Sequence, residues 1–315
     1  MKISPLKTVL FILGIVGGYF AADAIFGSSS EEEGAGNTSG TAVSSQVPEG
    51  ASQNNSGSDE DPWGGDDTPW PDTLVTVEVL PIQTPLWRTA KDTLAVIFTM
   101  EPGWHIYWQG KNDSGLFPSV TWTVPRGVRV GDLIWPTPKR KPAPGNILDH
   151  VYEDKVALLV PISIVRGGPL GDITLEAKID MMACREACVP ESARVSVTLP
   201  VVRGSEAQSS DRNRIPEVVQ TRKKLPRPQK QSDGLAVTWE DNLFKITAAE
   251  AQKLVFYPKL ECSELANPTR DAEASGATLS MEFSPPVNAS TQVEGILEVQ
   301  KSSGTTYIEV SWKGP

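Results

Sequence analysis

The sequence predicts an all-β protein, an antiparallel β-sandwich followed by a second, smaller all-β domain. Three observations predict it. Apolar residues recur at every second position over many short stretches, Gly and Pro (26 of each in 315 residues) punctuate those stretches throughout, and no long amphipathic helical pattern interrupts them. The clearest stretch is "DITLEAKIDM", in which Ile173, Leu175, Ala177, Ile179 and Met181 share one face and Thr174, Glu176, Lys178 and Asp180 share the other. Alternation of this kind belongs to strands with one buried face, as in a sandwich.

The elements follow in chain order. Lys2 and Lys7 precede the apolar run "TVLFILGIVGGYFAADAIFG", which is interrupted only by Asp23. Residues 1–27 read as an export signal, and two forms stay open. Ala22-Asp23-Ala24 suits cleavage of a signal peptide, while the run is also about the 20 residues needed to span a bilayer as an uncleaved anchor. With the two lysines on the inside, the rest of the chain lies outside the cytoplasm, in a periplasmic or other extracytoplasmic location. Residues 28–72 contain ten acids and no Lys or Arg, in a Ser/Gly/Asn-rich stretch too poor in apolar groups to fold. As a flexible coil they would reach on the order of 40 Å, a sensible membrane tether if residues 8–27 hold the far end.

The net charge of −10 comes from that stretch; without it, 29 acids face 29 bases. A near-neutral globular part argues neither for nucleic acid nor for an acidic substrate, and no nucleic-acid partner is expected. Residues 73–203 then form the sandwich. Val75, Val77 and Val79 alternate, as do Leu94, Val96, Phe98 and Met100, and Val120, Trp122 and Val124. A basic, polar stretch over 204–234 reads as a linker with one short helix at Pro216 to Lys224, stopped by Pro226 and Pro228. Alternation resumes in "LAVTWEDNLFKITA", "KLVFYP", "TLSMEF", "GILEVQ" and "TYIEVSW", with "KSSG" as a hairpin turn, making a small all-β domain over 235–315.

Two of the three cysteines, Cys184 and Cys188, stand four apart in "MMACREACVPE". Along one strand they would be about 13 Å apart, beyond the roughly 4.4–6.8 Å that a disulfide spans between Cα atoms. If Arg185-Glu186-Ala187 form a three-residue hairpin loop, the two become cross-strand neighbours at about 5 Å and can be bridged at an accessible tip. Val195, Val197 and Leu199 supply the return strand. Three readings stay open. A structural disulfide is permitted in an exported chain, but so short a loop contributes only about 2 kcal/mol. A short, exposed bridge also suits redox exchange, with Arg185 favouring and Glu186 opposing a thiolate. A soft-metal site would use Met181 and Met182 with the two thiolates, although Met181 alternates into the core.

Other residues read as structural. Trp104, Ile106 and Trp108 fall on one strand face and belong to the core, with His105 and Tyr107 on the other face. His105 and His150 lack ligand partners at usable spacing, and the odd Cys262 reads as a small buried side chain. No nucleophile elbow, P-loop or dinucleotide fingerprint occurs.

"GWHIYWQGKNDSGLFPSVTW", "IWPTPKR", "VYEDKVALLVPI" and "CREACVPESARVSVTLP", in that order, resemble the N-terminal periplasmic domain of the thiol:disulfide interchange protein DsbD and its ScsB-like relatives. The resemblance covers Leu74 to Val202. It implies an immunoglobulin-like sandwich whose pair, Cys184 and Cys188, takes electrons from a membrane-embedded donor and reduces disulfides of other exported proteins. It makes Cys188 the partner-facing sulfur and implies a cap loop over the pair, for which "NDSGLFP" with Phe117 is the candidate. Full-length relatives continue into a transmembrane conduit and often a C-x-x-C domain. Neither occurs in these residues, so the expected activity, a protein-disulfide oxidoreductase component, depends on separate proteins. No cofactor is expected, because the dithiol carries the two electrons; the alternative is a non-catalytic binding or scaffold sandwich with a static bridge.

Overall fold

The computed structural model describes residues 73–204, 215–240 and 242–315. The signal segment (1–27), the acidic stretch (28–72) and linker residues 205–214 lie outside the described residues. Among those described, no helix is long and apolar enough to cross a membrane.

Eleven strands lead from Val75 to Val202: β1 (Val75–Pro81), β2 (Leu86–Trp87), β3 (Lys91–Met100), β4 (His105–Tyr107), β5 (Ser119–Thr123), β6 (Val128–Val130), β7 (Lys139–Ala143), β8 (Ile147–Glu153), β9 (Lys155–Ile164), β10 (Gly171–Cys184) and β11 (Cys188–Val202). They form two sheets. One has the order β1-β3-β9-β6; the other runs β2-β11-β10-β4-β8-β7, with β5 also paired to β10. All pairings are antiparallel except the two-residue contact of β2 with β11. The alternating apolar faces meet between the sheets, where Phe98, Leu158, Leu175, Ile179, Trp104, Ile106 and Trp108 are buried in one cluster. Removing those side chains from water, at roughly 25 cal/mol per Å², is the main force holding the sheets face to face.

Strands β3 and β9 are buried on both faces. Helix α1 (Pro216–Lys223) covers their outer side, and Val218 packs there with Ile82, Ala95, Ile97, Ala157 and Leu159. Pro216 opens the helix, where its missing N–H costs nothing. Thr221 Oγ1 donates to the Ala157 carbonyl at 2.7 Å, which satisfies a hydroxyl that is otherwise buried.

The remaining strands are β12 (Arg227–Pro228), β13 (Leu235–Glu240), β14 (Leu243–Ala248), β15 (Lys253–Pro258), β16 (Glu273–Ser275), β17 (Thr278–Glu282), β18 (Gln292–Lys301) and β19 (Gly304–Lys313), with a one-turn helix α2 (Pro268–Asp271) before β16. They build a five-stranded sheet, β12-β19-β18-β15-β16, and a three-stranded sheet, β13-β14-β17. Phe244, Phe256, Phe283, Leu254 and Leu297 fill the space between them. Ser302 and Ser303 turn the β18–β19 hairpin, with Lys301 opposite Gly304. Both β assemblies belong to one compact unit, Asp67–Pro315.

Candidate functional site

The long hairpin β10–β11 ends at the cysteines. Cys184 and Cys188 are register partners, with Cα atoms 4.2 Å apart, joined by a disulfide across the three-residue loop Arg185–Ala187. The Arg185 N–H donates to the Ala187 carbonyl at 3.2 Å and closes the loop. The two sulfurs differ in access: Cys184 is 2% exposed, whereas Cys188 is only half-buried.

Pairing carries the site beyond the hairpin. His105 of β4 lies opposite Cys184, and Glu153 of β8 lies opposite His105. Because directly opposed residues point to the same face, Cys188, Cys184, His105 and Glu153 form a row across four strands. Tyr107 and Val151 are the next pair on that face. This is the side away from the sandwich core: Ala183, Ile106 and Tyr152 point inward, while Tyr107, Val151 and Cys184 form a separate buried cluster edged by Met182 and Cys188.

The loop after β4 covers this cluster. Gly115 lies so close to Tyr107 that a Cβ there would sit 2.1 Å from the ring, so only glycine permits the approach. Ser114 Oγ is 3.1 Å from the Tyr107 hydroxyl, which is itself 3.3 Å from Cys188 Sγ. Asp149 anchors the loop. Its Oδ1 accepts from the backbone N–H groups of Asp113 (2.9 Å) and Ser114 (3.0 Å), and its Oδ2 accepts from the Ser114 hydroxyl. Asn112 Oδ1 and Asp113 Oδ2 accept in turn from the N–H groups of His150 and Leu148. A loop held by that many bonds to one strand is a fixed wall.

Burial sets the electrostatics. Desolvation lowers the pKa of His105, helped by the Lys141 charge and opposed by Glu153 and Asp149, so the imidazole beside Cys184 is neutral near pH 7. Desolvation raises Tyr107, which keeps its proton. The Lys139 ammonium, hydrogen-bonded to Glu153, holds that carboxyl below its usual range, with Lys141 assisting. Arg185 lies over the Trp104 ring, 5.8 Å from its centroid, with Glu186 at 4.0 Å.

The C-terminal strands grip the same loop from its other side. The Lys111 N–H donates to the Pro258 carbonyl at 3.0 Å and its ammonium pairs with Glu264. Trp108, His150 and Tyr257 meet edge to face, and Tyr257 donates to the buried Glu298 at 2.7 Å. Arg140, on β7, pairs with Glu273 and donates to the carbonyls of Pro268 and Thr269.

The structure thus brings Cys184 and Cys188 together with Ser114, from the loop named as the cap candidate, and with two residues that the sequence reading left out of the site, Tyr107 and Asp149. One signal was present for Tyr107, which alternates away from the core beside His105. Phe117 takes a different place from the covering ring expected of it: it is drawn edge-on to Trp135, at 6.2 Å, and the ring on the sulfur is that of Tyr107. Met181 lies in the main core while Met182 borders the cysteines, so the four soft groups do not converge. Cys262 is buried, free, and pushed up to about 11 by burial.

Residues 72–200 match the family model described as thiol:disulfide interchange protein DsbD, N-terminal, and the segment is an antiparallel β-sandwich. Among solved structures, the N-terminal periplasmic domain of ScsB from Proteus mirabilis aligns at 13% identity with a TM-score of 0.49, covering 78% of this chain and 97% of that one. The periplasmic chaperone SfaE aligns at 8% identity and a TM-score of 0.20, over 74% and 98%. No curated protein matches.

Proposed function

We propose, from the match of residues 72–200 to the thiol:disulfide interchange family model, that the Cys184–Cys188 pair exchanges disulfides with other exported proteins. The observation that carries this reading is the bridge itself: a four-residue separation closed at a hairpin tip, with one sulfur half-exposed and the other shielded. That asymmetry suits two-step exchange. In the dithiol form, the Cys188 thiolate attacks a partner disulfide, forming a Cys188–partner bond and releasing one partner sulfur as a thiolate. Cys184, deprotonated, then attacks Cys188 Sγ, which re-forms the bridge and releases the second partner sulfur. The partner gains two electrons and two protons; the pair loses the same. A separate dithiol donor at the membrane restores the reduced pair by the reverse sequence.

The same reading puts the domain outside the cytoplasm, tethered through residues 8–27 if that segment is retained. Lys2 and Lys7 ahead of the apolar run support it. The pair needs no cofactor to carry two electrons, and the chain would act as an oxidoreductase component. Trapping tests the reading. Cys184→Ser, expressed with its native signal, should accumulate dithiothreitol-sensitive complexes through Cys188, and Cys188→Ser should accumulate far fewer. If neither variant forms any, the bridge is static and the sandwich is a binding module.

A further inference from the structure

We infer that Tyr107 is a catalytic residue whose single hydroxyl proton turns from Ser114 to Cys188 when Cys188 of the reduced pair loses its proton; this rests on the exchange reading above. The geometry offers that proton two acceptors, Ser114 Oγ at 3.1 Å and Cys188 Sγ at 3.3 Å. Asp149 decides the polarity of the chain, because it takes the Ser114 proton and leaves the Ser114 oxygen free only to accept. In the disulfide form the better acceptor is Ser114 Oγ, since a disulfide sulfur accepts weakly. In the neutral dithiol the chain runs one way, from the Cys188 S–H to Tyr107, Ser114 and Asp149. When Cys188 loses its proton, the thiolate becomes the strongest acceptor within reach and Tyr107, itself buried, turns its O–H to it in a charge-assisted bond.

Tyr107 is suited to this because burial keeps its phenol protonated, so it donates and does not compete for the charge. The other titratable groups around the pair are accounted for. On β4, His105 faces Cys184; on β8, Glu153 is bound by Lys139 and Lys141; in the hairpin loop, Arg185 lies over Trp104 and Glu186 is exposed; in the covering loop, Asp113 accepts from the Leu148 N–H. Ser114 and Asp149 act through Tyr107 and are positioning residues.

The two ends of the switch make opposite predictions. Tyr107→Phe removes the donor to the thiolate, so the Cys188 pKa rises by about one unit and alkylation of Cys188 at pH 7 slows about tenfold, with little change well above both pKa values. Ser114→Ala removes the competing acceptor, so the Cys188 pKa falls and the midpoint for reduction moves up. The experiment is a pH profile of Cys188 alkylation, resolved by peptide mass, on the reduced full chain and both variants, with equilibration against a dithiol buffer. Opposite shifts support the switch. Shifts of one sign in both variants, as a merely loosened loop would give, or no shift, overturn it while leaving exchange intact. A wild-type bridge that fails to equilibrate with the dithiol buffer overturns the exchange reading and the switch with it.

Discussion

At the residue scale, the three cysteines differ in what water can reach. Cys188 is half-exposed at the hairpin tip, Cys184 is covered, and Cys262 is enclosed by Leu254, Leu265 and their neighbours in the C-terminal core. Burial raises the Cys262 pKa to about 11 and outweighs the lowering effect of the Lys111 charge, so at pH 8 little of it is thiolate. Brief alkylation of the reduced, folded protein at pH 8 should therefore label Cys188 first and Cys262 only after denaturant is added. Mass mapping of the three cysteine peptides reads this out, and labelling of Cys262 at the rate of Cys188 would contradict its burial. This ranking was partly open to the sequence. Cys262 lies in a stretch without a partner cysteine, and the expectation that it is a buried side chain agrees with the structure. The different burial of Cys184 and Cys188 was not legible, because it depends on β4 and the covering loop, some 70 to 80 residues away.

At the scale of elements, the hairpin was the most readable part. Cysteines four positions apart, with period-two alternation on either side, leave a three-residue loop as the economical way to oppose them, and the register is that one. Strands β3 and β9 were less legible. The continuous apolar stretch "VALLV" signals burial on both faces, but the helix that covers it lies beyond Arg203, outside the sandwich that the alternation defines. The covering loop was legible only as a resemblance. Its seat depends on Gly115 against the Tyr107 ring and on the carboxylate of Asp149, a long-range fit that no local pattern announces. Gly115→Ala puts a methyl where the ring is, and either the loop or Tyr107 must move. The expected cost is about 1–3 kcal/mol in denaturant unfolding, with faster reduction of the bridge by dithiothreitol. Unchanged stability and reduction rate would mean that the loop does not press on Tyr107.

At the scale of the whole molecule, the C-terminal strands meet the sandwich where the covering loop begins, so His150, Trp108 and Tyr257 link the two. His150 is buried, with Nδ1 2.7 Å from the Lys111 carbonyl, and burial lowers its pKa to about 4. The unfolded chain binds a proton near pH 6.5, so between 6.5 and 4 it holds more protons than the folded one. Stability is therefore full above about pH 6.5 and falls as the pH drops toward 4, by about 3 kcal/mol from His150. His105, shifted in the same direction, adds to the fall. Urea unfolding at pH 7 and pH 4.5 should show the loss, and His150→Phe should remove most of it; an unaltered slope in that variant would place the acid sensitivity elsewhere. Tyr257→Phe takes the donor from the buried Glu298 and should cost about 1–3 kcal/mol in the same assay, with a flat result showing that Gln300, at 2.7 Å, suffices for that carboxylate. The central claim is that a bridge at the tip of the hairpin, shielded but reachable through Cys188, is built for exchange. Its most direct test is the reduction potential of the Cys184–Cys188 pair, measured by equilibrating the full chain with a thiol buffer and resolving the alkylated forms by mass. The account predicts a value well above about −300 mV, in the exchangeable range; a value below that would mark a structural disulfide and contradict it.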